Sequence, residues 1–312
     1  MVIILQLLLL VVGFVMLVKG ADWFVDGAAG IAERFGIPQL VVGLTIVAMG
    51  TSAPEAAVSI SSAFKGSADI TIGNVVGSNI MNILVILGIT SVIVAVAVQK
   101  STVRYEIPFM TGITVLLMIF GITGERVDRL EGVILWVFFI LYIIYLYRMT
   151  KNQQAQEEEK KEKQSALKLI LSVIVGLAIV VWGSDIAVDA ATKLAAAAGL
   201  SEKFIGLTII ALGTSLPELV TSVSAARKGK ADLAIGNIVG SNIVNILFVV
   251  GTTAVILPVP FAAGFLVDMI IAIATAVLLF VCVARRQKLT RTGGAVMLLG
   301  YAAYFVYLCI GK

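Results

Sequence analysis

The chain has 312 residues, of which 60% are hydrophobic and only 13% are charged. A soluble domain of this size carries about a quarter charged residues, so the composition excludes a water-soluble globular protein. Histidine is absent, which removes any Ser-His or Cys-His catalytic pair, and the two cysteines lie in apolar runs without metal-ligand spacing. We therefore expect a membrane protein that is not an enzyme.

Apolar runs of about 20 residues, long enough to cross a bilayer as helices, recur from one end of the chain to the other. They predict an all-α polytopic membrane protein with ten transmembrane helices. A membrane β-barrel would show short alternating segments instead. The predicted spans lie near 2–25, 37–64, 70–98, 104–122, 130–148, 166–191, 202–226, 232–257, 261–284 and 293–310.

The two halves of the chain are repeats of each other. A shift of about 163 residues places 20–93 on 183–256 without a gap, and about half of the positions are identical. Because five spans per half is an odd number, the second half enters the membrane from the opposite side, as in many secondary transporters with inverted repeats. The prediction is a first half at 1–150, a polar linker at 151–165 and an inverted second half at 166–312.

The basic residues orient this arrangement. Most of them follow odd-numbered spans or lie in the linker, and cytoplasmic loops carry the excess of Lys and Arg. We therefore expect a multi-pass protein of the plasma or inner membrane with a cytoplasmic linker. Both the N-terminus and the C-terminus are expected on the outer side of that membrane. The loops after even-numbered spans hold only Lys65, Arg126, Arg129, Lys193 and Lys203, with Lys312 at the end of the chain.

Spans two and seven each contain a proline followed by a glutamate, Pro54-Glu55 and Pro217-Glu218. A proline should break each helix near 48–54 and 211–217, and a carboxylate in hydrocarbon indicates a functional site. Backbone carbonyls that lose their helical hydrogen bonds within the membrane must line a cavity or bind a ligand. The predicted donors are all oxygen and suit Ca²⁺ or Na⁺, namely the side chains of Thr51, Ser52, Glu55, Thr214, Ser215 and Glu218.

Spans three and eight supply a complementary polar face. Asn74, Ser78 and Asn82 are four residues apart and share one side of a helix, and the second half repeats the pattern as Asn237, Ser241 and Asn245. Two carboxylates neutralise one Ca²⁺, and a site that binds either ion but not both would support exchange.

Simpler interpretations stay open at this point. Each Pro-Glu pair could be a kink with a protonated carboxyl, and Asn74 and Asn237 could serve only in helix packing. Asn79 and Asn242 point away from the polar face, which favours structural roles. The pairs Asp22/Asp26 and Asp185/Asp189 are expected to be solvated or capping groups, with an ion vestibule as the alternative.

These motifs resemble the cation/calcium antiporter superfamily, and within it the prokaryotic sodium/calcium exchangers. The resemblance is carried by Gly50-Thr51-Ser52-Ala53-Pro54-Glu55 and Gly73-Asn74…Gly77-Ser78-Asn79-Ile80-Met81-Asn82-Ile83, with second copies at Gly213–Glu218 and Gly236–Ile246. It implies alternating access, in which spans one and six slide against the other eight, and electrogenic exchange of three Na⁺ for one Ca²⁺.

By position, the resemblance assigns a role to each motif residue. Glu55 and Glu218 would be the central Ca²⁺ ligands. The other implied ligands are Thr51 and Thr214 with the carbonyls of Ala48 and Ala211, the flanking sodium-site residues Ser52, Ser78, Ser215 and Ser241, and the middle-site residues Asn82 and Asn245. No resident cofactor, nucleic acid or obligate protein partner is expected beside the two ions and the lipid bilayer.

The chain also departs from some relatives. Asn82 and Asn245 are both neutral where one position is often Asp, which weakens the case for K⁺ cotransport and for a third titrating carboxylate. A Ca²⁺/H⁺ antiporter is the alternative function, although that branch resembles Gly-Asn-Ala-x-Glu rather than the motif found here. A cation channel is a further alternative, and it would be distinguished by flux without a counter-ion.

Overall fold

The computed structural model describes residues 2–68, 70–154, 165–199 and 211–310, and these form an all-α polytopic fold. Among the described helices, eight are long and apolar enough to cross a membrane, and one bent pair makes a ninth candidate span. The predicted class of fold is therefore confirmed. Most of the predicted linker and the start of the predicted seventh span, 202–210, lie outside the described residues.

The first half contains one bent pair of helices, α2 and α3, between longer single helices. The first helix continues well past its predicted end at residue 25. The segments are α1 (Val2–Phe35), α2 (Gln39–Thr51), α3 (Ala53–Phe64), α4 (Ile70–Ile93), α5 (Thr102–Gly124) and α6 (Arg129–Gln154).

The second half follows the same order as far as it is described. A short segment, α8, stands where the end of α2 stands in the first half. The segments are α7 (Ala166–Ala197), α8 (Ala211–Thr214), α9 (Leu216–Arg227), α10 (Ala231–Ile256), α11 (Phe265–Ala284) and α12 (Arg291–Ile310).

The break between α2 and α3 falls at Ser52, where the helix axis turns by 50°. Pro54 occupies the first turn of α3, where its missing N–H costs nothing, but its ring prevents the helix from continuing unbroken from α2. α8 and α9 meet in the same way at Ser215, with Pro217 in the first turn of α9. Both breaks fall inside the ranges that the sequence predicted.

The central helices α4 and α10 are the most buried long helices of the fold. Each contains a π-helical turn, at Asn82–Leu87 in α4 and at Asn245–Val250 in α10. Such turns are rare in proteins overall, and those that occur are often found at functional sites. Each begins at an asparagine that the sequence singled out, although the hydrophobic pattern did not predict the π-helical geometry.

Two short antiparallel strand pairs join the halves. β1 (Val96–Ala97) pairs with β4 (Lys288–Leu289), and β2 (Arg126–Val127) pairs with β3 (Val259–Pro260). Each pair ties a loop of the first half to a loop of the second. The sequence did not predict them, because two residues are too few to show an alternating pattern.

Helices α1 and α7 pack against each other along most of their lengths in opposite directions. Glycines bring the two backbones together: a Cβ on Gly20 would lie 2.9 Å from the carbonyl oxygen of Gly176. Small residues permit such close approach between membrane helices. The two helices therefore form one paired unit, which we call the α1–α7 pair.

Substitution of Gly176 tests this contact. A Cβ there would lie 2.5 Å from the backbone nitrogen of Phe24, so the helices must separate to accommodate it. We expect Gly176→Ala to lower the free energy of unfolding by about 1–3 kcal/mol, measured as a lower Tm of the purified protein. Gly112→Ala in α5 is the matched control, because nothing lies within 4 Å of its added Cβ. An equal Tm for the two variants would contradict the close contact.

Candidate cation-binding site

Glu55 in α3 and Glu218 in α9 are both buried, with about 1% of each residue exposed. The Ser52 hydroxyl donates to Glu218 Oε1 at 3.1 Å, and the Ser78 hydroxyl donates to Glu55 Oε1 at 3.5 Å. The second oxygen, Oε2, of each carboxylate has no hydrogen-bond partner in the described part of the chain. Buried polar atoms are normally paired, so these two oxygens are available to a ligand.

The first-half residues of the site bond across to the second half. Thr51 Oγ1 donates to Asn237 Oδ1 at 2.9 Å, and Ser241 Oγ donates to the Ala48 carbonyl at 3.4 Å. Together with the bond from Ser52 to Glu218, these contacts place the end of α2 directly against α9 and α10. The predicted donors of the first half are thus assembled with residues 166 to 193 positions away in the sequence.

The second-half donors lie in matching positions. Thr214 is the last residue of α8, as Thr51 is the last residue of α2. Ser215 is buried, and its hydroxyl has no hydrogen-bond partner among the described residues. Ala211 is the first residue of α8, and its carbonyl therefore belongs to the segment that leads into the site.

Four asparagines form a crossed network between α4 and α10. Asn79 Nδ2 donates to the Asn242 carbonyl, and Asn242 Nδ2 donates to the Asn79 carbonyl, both at 3.2 Å. Asn82 Nδ2 donates to Asn242 Oδ1 at 2.9 Å, and Asn245 Nδ2 donates to Asn79 Oδ1 at 3.1 Å. The amide oxygens of Asn82 and Asn245 remain without a partner within the described residues. The network therefore fixes the positions of these two oxygens.

Asn74 and Asn237 orient the glutamate-bearing helices. Asn74 Nδ2 donates to the Glu55 carbonyl at 3.1 Å and to Ser59 Oγ at 2.9 Å. Asn237 Nδ2 makes the equivalent bonds to the Glu218 carbonyl at 3.4 Å and to Ser222 Oγ at 2.9 Å. The two serines were not predicted from the sequence, although they occupy equivalent positions in the repeats, four residues after each glutamate.

The four repeated aspartates lie outside this assembly. Asp22 and Asp26, within α1, contact Lys228, and Asp189, within α7, contacts Lys193, whereas Asp185 is exposed. The structure therefore brings together the glutamates, hydroxyls and asparagines of the motifs and leaves the aspartates apart. No group of three or more His, Cys, Asp or Glu side chains with metal-binding geometry occurs in the described ranges, so the site relies on two carboxylates and neutral oxygens.

Such an oxygen-only arrangement suits a hard cation. The two carboxylates are both buried, one from each half, and a divalent cation bound to both would cancel both charges. Hydroxyl and amide oxygens can complete the coordination shell without adding charge. The geometry is thus that of a candidate cation site inside a polytopic membrane protein.

Comparison with known proteins identifies the family. The family described as "Sodium/calcium exchanger protein" matches residues 5–148 and 168–310. The chain belongs to this family, and it is therefore a membrane antiporter for calcium and a second cation.

Individual relatives are similar over nearly the whole chain. The sodium/calcium exchanger MaX1 of Methanosarcina acetivorans is 33% identical, with 96% of this chain and 97% of MaX1 covered. The inner membrane protein YrbG of Escherichia coli is 32% identical, with 97% and 95% covered. A solved structure of the sodium-calcium exchanger NCX_Mj has a TM-score of 0.84 at 32% identity and covers 98% of this chain and 99% of that one.

The crossed asparagine network should contribute to stability. Asn242→Leu would remove the acceptor of Asn82 Nδ2, leaving that donor buried without its partner, and would also remove the bond to the Asn79 carbonyl. We expect a loss of about 1–3 kcal/mol for the unpaired donor, measured as a lower Tm. Thr114→Val is the control, because that hydroxyl bonds only to the Met110 carbonyl of its own helix. A Tm for Asn242→Leu as high as that of the control would contradict the assigned bonds.

Proposed function

We propose that the chain is a secondary antiporter that moves Ca²⁺ against Na⁺ by alternating access. The observation that carries this proposal is the pair of buried carboxylates, one from each half, each with an oxygen that lacks a partner among the described residues. Ions are the cargo in this proposal, and no resident cofactor or obligate protein partner takes part.

Charge explains why the two ions would exclude each other. Two buried carboxylates without a counter-charge are costly, because neither has water to stabilise it. One Ca²⁺ or a set of Na⁺ ions can neutralise them, but Ca²⁺ and Na⁺ would compete for the same oxygens. The change between the two access states would then require that either Ca²⁺ or Na⁺ is bound. The exchange of three Na⁺ for one Ca²⁺, and hence electrogenic transport, is proposed from the family resemblance.

The residue roles follow the positions of the donors. In this proposal Glu55 and Glu218 bind Ca²⁺ directly. Some of the remaining oxygens complete the coordination of Ca²⁺, and others bind Na⁺. Thr51, Thr214 and the carbonyls of Ala48 and Ala211 serve both ions, Ser52, Ser78, Ser215 and Ser241 flank the sodium positions, and Asn82 and Asn245 occupy the middle.

The proposed architecture is ten transmembrane helices in two inverted repeats, 1–150 and 166–312, joined by a cytoplasmic linker at 151–165. Both termini would lie outside the plasma or inner membrane, as the distribution of basic residues predicts. The α1–α7 pair would be the moving unit, since its backbone contacts join the first helix of each half. The remaining helices would carry the ion site.

Neutralising substitutions test the function. Glu55→Gln or Glu218→Gln keeps the shape of the side chain but removes one of the two balancing charges, so we expect Na⁺-driven ⁴⁵Ca²⁺ uptake into proteoliposomes to fall at least about 100-fold, as expected for losing a buried charge partner. Glu125→Gln, in an exposed loop, is the control and should transport like the unmodified chain.

The same liposomes separate the alternatives when one gradient is imposed at a time. Uptake driven by a pH gradient in Na⁺-free buffer would contradict sodium coupling and support a Ca²⁺/H⁺ antiporter. Uptake that continues without any counter-ion gradient would support a channel. Near-normal Na⁺-driven uptake by either glutamine variant would contradict the site assignment.

A further inference from the structure

A cluster of ion pairs joins α1 to the end of α9. Lys228 Nζ lies 2.8 Å from Asp26 Oδ2 and 3.3 Å from Asp22 Oδ1, and Ser224 Oγ donates to Asp22 Oδ1 at 2.7 Å. Lys230 Nζ adds a contact of 3.2 Å with Glu33 Oε1. α9 carries Glu218, whereas α1 belongs to the α1–α7 pair. The cluster thus fastens the pair to a helix of the ion site.

The repeat places the same residue types at the other end of the molecule. The shift of 163 residues that aligns Asp22 with Asp185 also aligns Asp26 with Asp189, Ser224 with Ser61 and Lys228 with Lys65. If the halves are inverted, these copies lie at the opposite membrane face. The sequence therefore contains two versions of one charged contact.

Only one version is formed in the described structure. α9 packs along α1, whereas no comparable packing joins α3 to α7, although both of these helices are described in full. Asp185, Ser61 and Lys65 are exposed, and Lys65 and Asp185 form no ion pair within the described ranges. Asp189 instead contacts Lys193, one turn along its own helix, at 2.6 Å.

We propose that the two clusters are alternating latches. In the described state Lys228 holds the α1–α7 pair to α9. This contact closes the access path to the ion site from the membrane face at which the C-terminal end of α9 lies. In the opposite state Lys65 would bind Asp185 and Asp189, joining α3 to α7, while Lys228 is released. This inference rests on the proposed alternating access, and it assigns these lysines as positioning residues that act on the ion site through the moving helices.

The modest strength of such contacts fits a latch. Partly exposed ion pairs contribute little to stability, so one pair shifts an equilibrium by only about two- to fivefold. A contact of that size can select between two states without preventing the change from one to the other. A fully buried pair would hold a single state too firmly for a transport cycle.

The two latches are unequal. The position equivalent to Lys230 is Ser67, and the position equivalent to Glu33 is Ala196, so the second version lacks one ion pair. Lys193 also competes with Lys65 for Asp189. We therefore expect the ion-free protein to favour the state closed by Lys228.

Distance measurements between spin labels test the latches directly. In a background with Cys282→Ala and Cys309→Ala, nitroxides at Phe64→Cys and Ala197→Cys would report the separation of α3 and α7. For the ion-free protein in lipid nanodiscs we expect a predominantly long distance. Lys228→Ala should increase the ratio of short to long distances about two- to fivefold, and Lys65→Ala should decrease it by a similar factor.

Three variants serve as controls. Arg227→Ala removes a neighbouring basic residue that has no ion pair in the described ranges, so it should leave the ratio unchanged. Lys228→Arg keeps the charge and should behave like the unmodified chain. Asp26→Asn should reproduce Lys228→Ala, and it replaces that variant if Lys228→Ala does not fold.

Opposite shifts for the two lysines would support the latches, and shifts in the same direction, or none, would overturn them. Na⁺-driven Ca²⁺ uptake measured on the same preparations separates this inference from the proposed function. Absent uptake by the unmodified chain with opposite distance shifts would contradict only the function. Normal uptake without opposite shifts would contradict only the latches.

Discussion

Two carboxylates buried in one membrane protein are both removed from the bulk water that would stabilise their charges. Removing an ion from water costs several kcal/mol even after the protein relaxes around it, so the arrangement requires a compensating cation or proton. Glu55 and Glu218 are placed in this situation by the fold, each with one oxygen held by a serine and the other without a partner among the described residues. The rest of the site supplies oxygens that add no further charge.

Contacts between the two halves of the chain explain how two such groups meet. Proline breaks α2 from α3 and α8 from α9, and each break places a glutamate in the first turn of the helix that follows. Bonds from Thr51 to Asn237 and from Ser52 to Glu218 then cross between the halves. Neither half contains the complete donor set, so we infer that neither would bind a cation well by itself.

Much of this arrangement could be predicted from the sequence, because each essential feature occurs twice. Hydropathy indicates membrane helices, proline indicates the two breaks, and a carboxylate in an apolar run is too costly to be incidental. The pairing of Asn79 with Asn242 could not be predicted, because their partners are more than 160 residues away. The continuation of α1 to Phe35 was not predicted either. Asp22 and Asp26 suggested that the apolar span ends there, and the sequence did not show that both contact Lys228.

One buried site is proposed to bind either calcium or sodium. Equilibrium binding of ⁴⁵Ca²⁺ to the purified protein at increasing Na⁺ concentrations measures the competition between the two ions. We expect a single Ca²⁺ per chain, complete displacement by Na⁺, and a displacement curve steeper than first order, because more than one Na⁺ is needed to balance two carboxylates. If Ca²⁺ remains bound at saturating Na⁺, the two ions occupy separate sites and the shared site is wrong.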